Sequence, residues 1–169
     1  MKKAVFAGSF DPFTNGHLDI VRKASKIFDE VIVVVAFNPD KKRHYHPDLM
    51  CNVIDEVIKS EGITNCIVGS WDNLIVELLN QWHIVYFIRG LRDVEDYIYE
   101  EKMAKINKAL YPPIEYVYLR ADNDIISSSA VRELFEHGVD LTNYIPKAIF
   151  DFMLEEAELK NGNDENSNR

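Results

Sequence analysis

The sequence predicts a doubly wound α/β domain: one five-stranded parallel sheet with helices on both faces. Three observations predict it. Short β-branched apolar runs alternate with longer amphipathic stretches along most of the chain. The runs are continuously apolar, the mark of strands covered on both sides. The strand–helix–strand order implies right-handed crossovers and therefore parallel pairing.

The first strand is the run Ala4 to Ala7, which ends at Gly8. A helix follows His17, with Ile20, Val21, Ala24, Ile27 and Phe28 on one 3.6-residue face. Val31 to Phe37 is seven apolar residues in a row and forms the second strand. Met50, Val53, Ile54, Val57 and Ile58 mark the second helix, closed by Gly62. Cys66 to Val68 is the third strand, and Leu74, Ile75, Leu78 and Leu79 form the next helical stripe. Ile84 to Ile88 gives the fourth strand. Val94, Tyr97, Ile98 and Ala104 mark a longer helix ended by Pro112-Pro113. Ile114 to Leu119 is the fifth strand. Val131, Leu134 and Phe135 mark a helix stopped at Gly138, and Pro146 opens a last one through Phe150, Met153 and Leu154. Residues 1–158 form the domain. Residues 159–169, polar and poor in apolar side chains, are expected to fray as a tail.

The 169 residues carry 19 Lys+Arg against 28 Asp+Glu, a net charge of −9. That balance argues against a duplex nucleic acid partner and against a polybasic membrane surface. It permits a small anionic ligand held by a few local cations. Cys51 and Cys66 form neither a CxxC nor a disulfide framework, so two free thiols in a reducing compartment are expected. The N-terminal apolar stretch is interrupted by Asp11 and Pro12, too early for a signal peptide. No run approaches the ~20 apolar residues of a membrane span. A soluble, cytoplasmic protein is the expectation. His44 and His46 alternate in a loop without a third ligand, a poor metal site. Trp71 and Trp82 flank the third helical stripe and suit packing or subunit contacts.

Ligands of such sheets bind where strands end. The first strand leads into Gly8-Ser9-Phe10-Asp11-Pro12-Phe13-Thr14-Asn15-Gly16-His17 and then a helix. Glycine admits close backbone approach, and a helix N-terminus offers N–H groups to phosphate. His17 stands in that first turn. Asn38-Pro39-Asp40-Lys41-Lys42 follows strand two, and Arg89-Gly90-Leu91-Arg92 closes strand four. Asn123-Asp124-Ile125-Ile126-Ser127-Ser128-Ser129 follows strand five.

GSFDPxxxGH resembles the signature of nucleotidyltransferases with an H/T-x-G-H motif, read here as Thr14 to His17. IRGLR and ISSSxVR, in this order and at strand ends, are similar to the phosphopantetheine adenylyltransferases in particular. The match spans roughly residues 1–153. The resemblance implies transfer of an adenylyl group from ATP to 4′-phosphopantetheine, giving dephospho-coenzyme A and pyrophosphate. It also implies Mg²⁺ riding on the ATP phosphates, and a homohexamer subject to feedback by coenzyme A. Nicotinate mononucleotide adenylylation is the nearest enzymatic alternative. A non-catalytic nucleotide-binding module on the same fold is the alternative of another class.

By the same resemblance, His17, Lys41 and Arg92 are the catalytic group. His17 donates to the α-phosphate through a ring N–H or as imidazolium. Ser9, where many relatives have threonine, and Phe10 lie beside the ATP phosphates. Ser9, Lys41, Arg89 and Ile75 meet phosphopantetheine. Lys42 is the alternative to Lys41 if the loop is shifted by one. Leu74 is the alternative to Ile75, because this chain has one extra residue between Gly69 and Arg89. Gly90, Leu91 and Arg92 line ATP. Glu100 reaches the nucleotide through the ribose or an arginine, with Glu101 as its rival. Asn123, Asp124, Ile125 and Ile126 accompany the adenine, although the first three depart from the aromatic-containing family pattern. Ser127, Ser128 and Ser129 offer hydroxyls and N–H groups to the β- and γ-phosphates.

Overall fold

The computed structural model describes residues 1–122 and 126–167, the last five of these by their backbone alone. Asn123, Asp124 and Ile125 lie outside the described residues. Five strands and six helices alternate: β1 (Lys3–Gly8), α1 (Asn15–Ile27), β2 (Glu30–Ala36), α2 (Pro47–Ser60), β3 (Cys66–Trp71), α3 (Ile75–Gln81), β4 (Tyr86–Gly90), α4 (Val94–Leu110), β5 (Glu115–Leu119), α5 (Ser128–Glu136) and α6 (Lys147–Ser167). All strand pairs are parallel, in the order β3-β2-β1-β4-β5. The chain winds outward from β1 to β3, returns, and winds the other way through β4 and β5. The order therefore reverses between β1 and β4, which opens a crevice at their carboxyl ends.

The continuous apolar runs serve two cores at once. Along β1, Ala4 and Phe6 face a cluster with α1, α2, α5 and α6, while Val5 and Ala7 face a second cluster with α3. Along β2, Val31, Val33 and Val35 divide in the same way from Ile32 and Val34. Side chains alternate across a strand, so a strand covered on both faces must be apolar at every position.

β3 runs three residues past the predicted Val68, through Gly69, Ser70 and Trp71. Gly69 and Ser70 carry no apolar signal, but the backbones of this stretch pair with β2 up to Ala36–Trp71. Trp71 packs on the second core and donates its indole N–H to the Leu74 carbonyl at 3.0 Å.

Helix starts follow local chemistry. Asp93 caps α4 by accepting from the Asp96 N–H at 2.8 Å. His46 caps α2, accepting from Asp48 N–H at 3.3 Å, with Pro47 in the first turn. Its neighbour His44 instead pairs with Asp11 at 3.4 Å.

Two elements differ from expectation. The stripe Val94, Tyr97 and Ile98 on α4 faces outward, 69%, 47% and 50% exposed. The inward face is polar: Glu100 meets Arg89, and Asn107 donates to the Tyr116 hydroxyl at 2.6 Å. The last helix runs from Lys147 to Ser167, past the expected domain end at 158. Near the start of that stretch, Lys160 is tied back to the domain. Its ammonium donates to the His44 carbonyl at 3.2 Å and lies 5.6 Å from the Tyr45 ring centroid.

Candidate active site

The crevice between the ends of β1 and β4 holds two adjoining chambers that share Ser9 and Ser128. The inner chamber, about 240 Å³, is lined by Gly8, Ser9, His17, Arg89, Gly90, Arg92, Glu100, Ile126, Ser127 and others. The outer chamber, about 860 Å³, is lined by Lys41, Lys42, Arg43, Leu74, Tyr99, Ser129 and Arg132, with Ser9 and Ser128. Residues from five separate segments thus meet at one site.

The loop after β1 is shaped by Phe10. Its φ of 44° lies in the left-handed region, and its ring is only 1% exposed. The ring packs against Phe6, Phe13 and His17, with centroids 5.2, 5.3 and 4.9 Å away. A Cβ on Gly8 would come within 2.8 Å of that ring, so glycine is what lets the loop fold over it. Phe10 lines the inner chamber while its ring sits in the core and packs on the ring of His17.

His17 is the third residue of α1, and its place in a capping box fixes its tautomer. Its backbone N–H donates to Thr14 Oγ1 at 3.3 Å, while Thr14 N–H donates to His17 Nδ1 at 3.0 Å. A backbone N–H can only donate, so Nδ1 is the acceptor and the proton sits on Nε2. Burial, then the charges of Arg92 and Arg89, push the ring down to about 3. His17 is thus a neutral Nε2–H donor at physiological pH, and the imidazolium alternative is set aside.

Two carboxylates in the chamber are matched to its arginines. Arg89 donates to Glu100 Oε1 through Nε at 2.9 Å and a terminal nitrogen at 2.6 Å, and to the Ala7 carbonyl at 2.5 Å. Its guanidinium also lies 5.6 Å from the Phe87 centroid. Glu100 is 6% exposed. It is therefore a partner of arginine. Glu101 accepts from the Tyr118 hydroxyl at 2.7 Å and faces away from the chamber. Arg92 approaches Asp96 at 3.1 Å, one helical turn on. Burial works to raise the Asp96 carboxyl, but hydrogen bonds from Arg92 outweigh it and hold the group below its usual range.

Ser127 caps α5, accepting from Ala130 N–H at 3.2 Å, and Ser128 donates to the Pro12 carbonyl at 2.8 Å. These serines set the start of α5 at the chamber wall. Leu91 turns out of the inner chamber into a neighbouring groove with Val94, Tyr97 and Tyr118. Lys41 and Lys42 both border the outer chamber. Ile75, the first residue of α3, packs against the second core, whereas Leu74 is 57% exposed and lines the outer chamber. Of the two, Leu74 is the apolar residue at the wall of the outer chamber.

Several residues at the site were not assigned a role from the sequence. Asp11 is buried and accepts from the N–H groups of His44 and Tyr45, both at 3.0 Å. Arg132 of α5 donates to the Asp11 carbonyl and lines the outer chamber. Arg43 and Tyr99 line it as well. The GSFDP and ISSSxVR motifs contained Asp11 and Arg132, but only the fold shows what they join. Cys51 and Cys66 are separate thiols, each pushed up to about 11 by burial and so poor nucleophiles. Among the described residues, no group of three His, Cys, Asp or Glu side chains is placed to hold a metal ion.

The cytidylyltransferase-like family matches residues 5–134. A phosphopantetheine adenylyltransferase from Campylobacter hominis is 39% identical over 151 residues, covering 88% of this chain and 94% of that protein. One from Heliobacterium modesticaldum is 40% identical over 157 residues, 92% of each. Among solved structures, one described as a nicotinate-nucleotide adenylyltransferase from Vibrio parahaemolyticus superposes with a TM-score of 0.66. It covers 92% of this chain and 93% of its own, but at 20% identity it shares the fold alone. A crevice at the β1/β4 reversal, a histidine on the first turn of α1 and high-coverage relatives under one name lead to one assignment: the chain belongs to the phosphopantetheine adenylyltransferases of the cytidylyltransferase-like family.

Proposed function

We propose that the protein transfers the adenylyl group of ATP to 4′-phosphopantetheine, yielding dephospho-coenzyme A and pyrophosphate. The observation that carries this reading is the inner chamber, where a neutral Nε2–H donor stands beside two arginines at the strand-order reversal. A phosphate monoester is an anion at neutral pH, so its oxygen attacks the α-phosphorus without a general base. The new P–O bond forms as the bond to the β-phosphate breaks, and pyrophosphate leaves. The protein aligns two anions and stabilises charge on the transferring group.

His17 Nε2–H donates to an α-phosphate oxygen as negative charge builds there. Being neutral, it stabilises that oxygen without giving up its proton. Arg92 offsets phosphate charge from the β4–α4 turn. Arg89 is held by Glu100 and presents the remaining edge of its guanidinium. Ser9 and Lys41 approach the phosphopantetheine phosphate from the outer chamber, and Leu74 and Tyr99 border its arm. The N–H groups at the start of α5, at Ser128 and Ser129, meet the β- and γ-phosphates. Asp96 and Glu100 are engaged with arginines, so a Mg²⁺ would be held chiefly by the ATP phosphates and would supply charge neutralisation there. Incubation with Mg-ATP and phosphopantetheine should release pyrophosphate, and nicotinate mononucleotide in its place should not. The reverse pattern would refute the substrate assignment.

Lys41 and Lys42 border the same chamber, so their roles separate only by function. Lys41→Ala is expected to raise KM for phosphopantetheine and lower kcat by about 10-fold or more. Lys42→Ala should stay within about twofold, as a solvent-screened cation that does not meet the phosphate does. Steady-state kinetics on both variants checks this, and an inverted result reassigns the role to Lys42.

We further infer a cytoplasmic homohexamer that binds neither nucleic acid nor membrane. The outward apolar face of α4 supports assembly: Val94, Ile98, Ile106 and Leu110 are 69%, 50%, 53% and 60% exposed. Such a face suits burial against another copy. Among the described residues, no helix is long and apolar enough to cross a membrane. Light scattering is expected to give about six times the chain mass, and Ile98→Glu with Ile106→Glu to lower it. A wild-type mass of one chain would refute the assembly.

A further inference from the structure

Lys41, Lys42 and Arg43 place three cations in a row at the cleft, and Arg43 is the one turned inward, its side chain 15% exposed. Its Nε donates to the Tyr45 carbonyl at 2.6 Å, within its own loop. A terminal nitrogen donates to the Ser9 carbonyl at 3.0 Å, in the loop after β1. The same nitrogen stands 3.7 Å from Asp11 Oδ1. Asp11 completes the joint by accepting from the N–H groups of His44 and Tyr45 at 3.0 Å each. Residues 43–45 and 9–11 are thus tied together by contacts in both directions.

The joint is backed from outside. Phe152 packs on Tyr45 with centroids 5.4 Å apart, and Lys160 of α6 lies over the same ring while donating to the His44 carbonyl. The turn presenting Lys41 is closed locally, through Asp40 N–H to Asn38 Oδ1 and Lys41 N–H to the Asn38 carbonyl. Its place across the cleft is therefore set at the joint that follows it.

We propose that Arg43 is a positioning residue for the phosphopantetheine side of the cleft, fixing the loop of Lys41 against the loop of Ser9, with Lys160 supporting the joint from α6. This rests on the reading that Lys41 and Ser9 meet the phosphopantetheine phosphate. Arg43 acts through the planar fork of its guanidinium, which reaches two carbonyls at once. A lysine keeps the charge but cannot bridge them.

The test is steady-state kinetics on Arg43→Lys, Arg43→Gln, Lys160→Ala, Lys160→Arg and Lys41→Ala, with unfolding midpoints alongside. Arg43→Lys and Arg43→Gln should each raise KM for phosphopantetheine about tenfold, with KM for ATP within about twofold. Lys160→Ala should shift it in the same direction by less, and Lys160→Arg should restore it. Arg43→Lys matching wild type while Arg43→Gln fails would show a charge effect and overturn the proposal. Equal rises in both KM values, tracking a lowered midpoint, would overturn it as a purely structural role. Lys41→Ala separates the underlying reading. If that variant leaves KM for phosphopantetheine unchanged, the Lys41 assignment fails. If it raises KM and Arg43→Lys does not, the positioning proposal alone fails.

Discussion

His17→Ala lowers kcat by about 10²–10³-fold, the range for removing one preorganised donor from a developing oxyanion. It also removes the acceptor for Thr14 N–H, at a cost of about 1 kcal/mol in the start of α1. Measuring kcat and the unfolding midpoint on one sample separates the two effects. His17→Gln sharpens the comparison, because glutamine is the natural partner in a capping box and restores the bond to Thr14. Its midpoint should return to near wild type while kcat stays depressed. A glutamine variant with full activity would remove the histidine from the chemistry.

The same residue fixes a pH signature. Its ring is held down to about 3 by burial and by Arg92 and Arg89. The unfolded chain protonates this ring below its ordinary value of 6.5, whereas the folded chain does not until about 3. The unfolded state therefore binds more protons in that window, and stability falls as pH drops from 6.5 toward 3. Catalysis through Nε2–H should show no inflection from His17 between about pH 5 and 8. Nitrogen NMR of the ring checks both statements. A ring titrating near its ordinary value would defeat the neutral-donor mechanism.

Arg89→Met destabilises the domain by about 3–5 kcal/mol and removes most activity. Glu100 is 6% exposed, and two of its hydrogen bonds come from Arg89. Without them an anion is left beneath α4 with its nearest cation gone. The unfolding midpoint should drop by roughly 6 °C or more. Arg89→Met with Glu100→Leu replaces the whole pair by apolar groups, which is often near neutral. The double variant should recover stability without recovering turnover. Recovery of both would mean that Arg89 serves the fold alone, and recovery of neither that its tie to Ala7 governs.

The strands were legible because two-sided burial leaves an uninterrupted apolar run, as in Val31 to Val35. The ends of β3 and β4 were less so, since Gly69, Ser70, Arg89 and Gly90 join the sheet through backbone bonds that no side chain advertises. The stripe on α4 misled for a related reason. Periodicity shows that a helix has an apolar face, but not whether that face meets this sheet or another molecule. Here the sheet side is taken by Glu100 and Asn107. Composition alone does not register that Lys160 lands on Tyr45.

At the site, motifs placed His17, Arg89, Arg92, Ser127 and Ser128 at strand ends, and the fold brings these together around one chamber. The choice between Leu74 and Ile75 needed the start of α3, which turns one outward and the other into the core. Glu100 parted from Glu101 only when each found its partner, Arg89 for one and Tyr118 for the other. Arg43 carried no sequence signal of its own, because its burial depends on the Ser9 carbonyl 34 residues away.

By itself the sequence determined the order of elements, the two-sided sheet and the segments that carry chemistry. All of these follow from local pattern, namely apolar run length, helical period, and glycine or serine at turns. Only the tertiary structure decided which neighbouring residue faces the cleft, which proton His17 carries, and which arginine is bound to a carboxylate. Those depend on single partners brought close by the crossovers, at distances where one hydrogen bond sets a tautomer and one rotation moves a side chain from solvent to site.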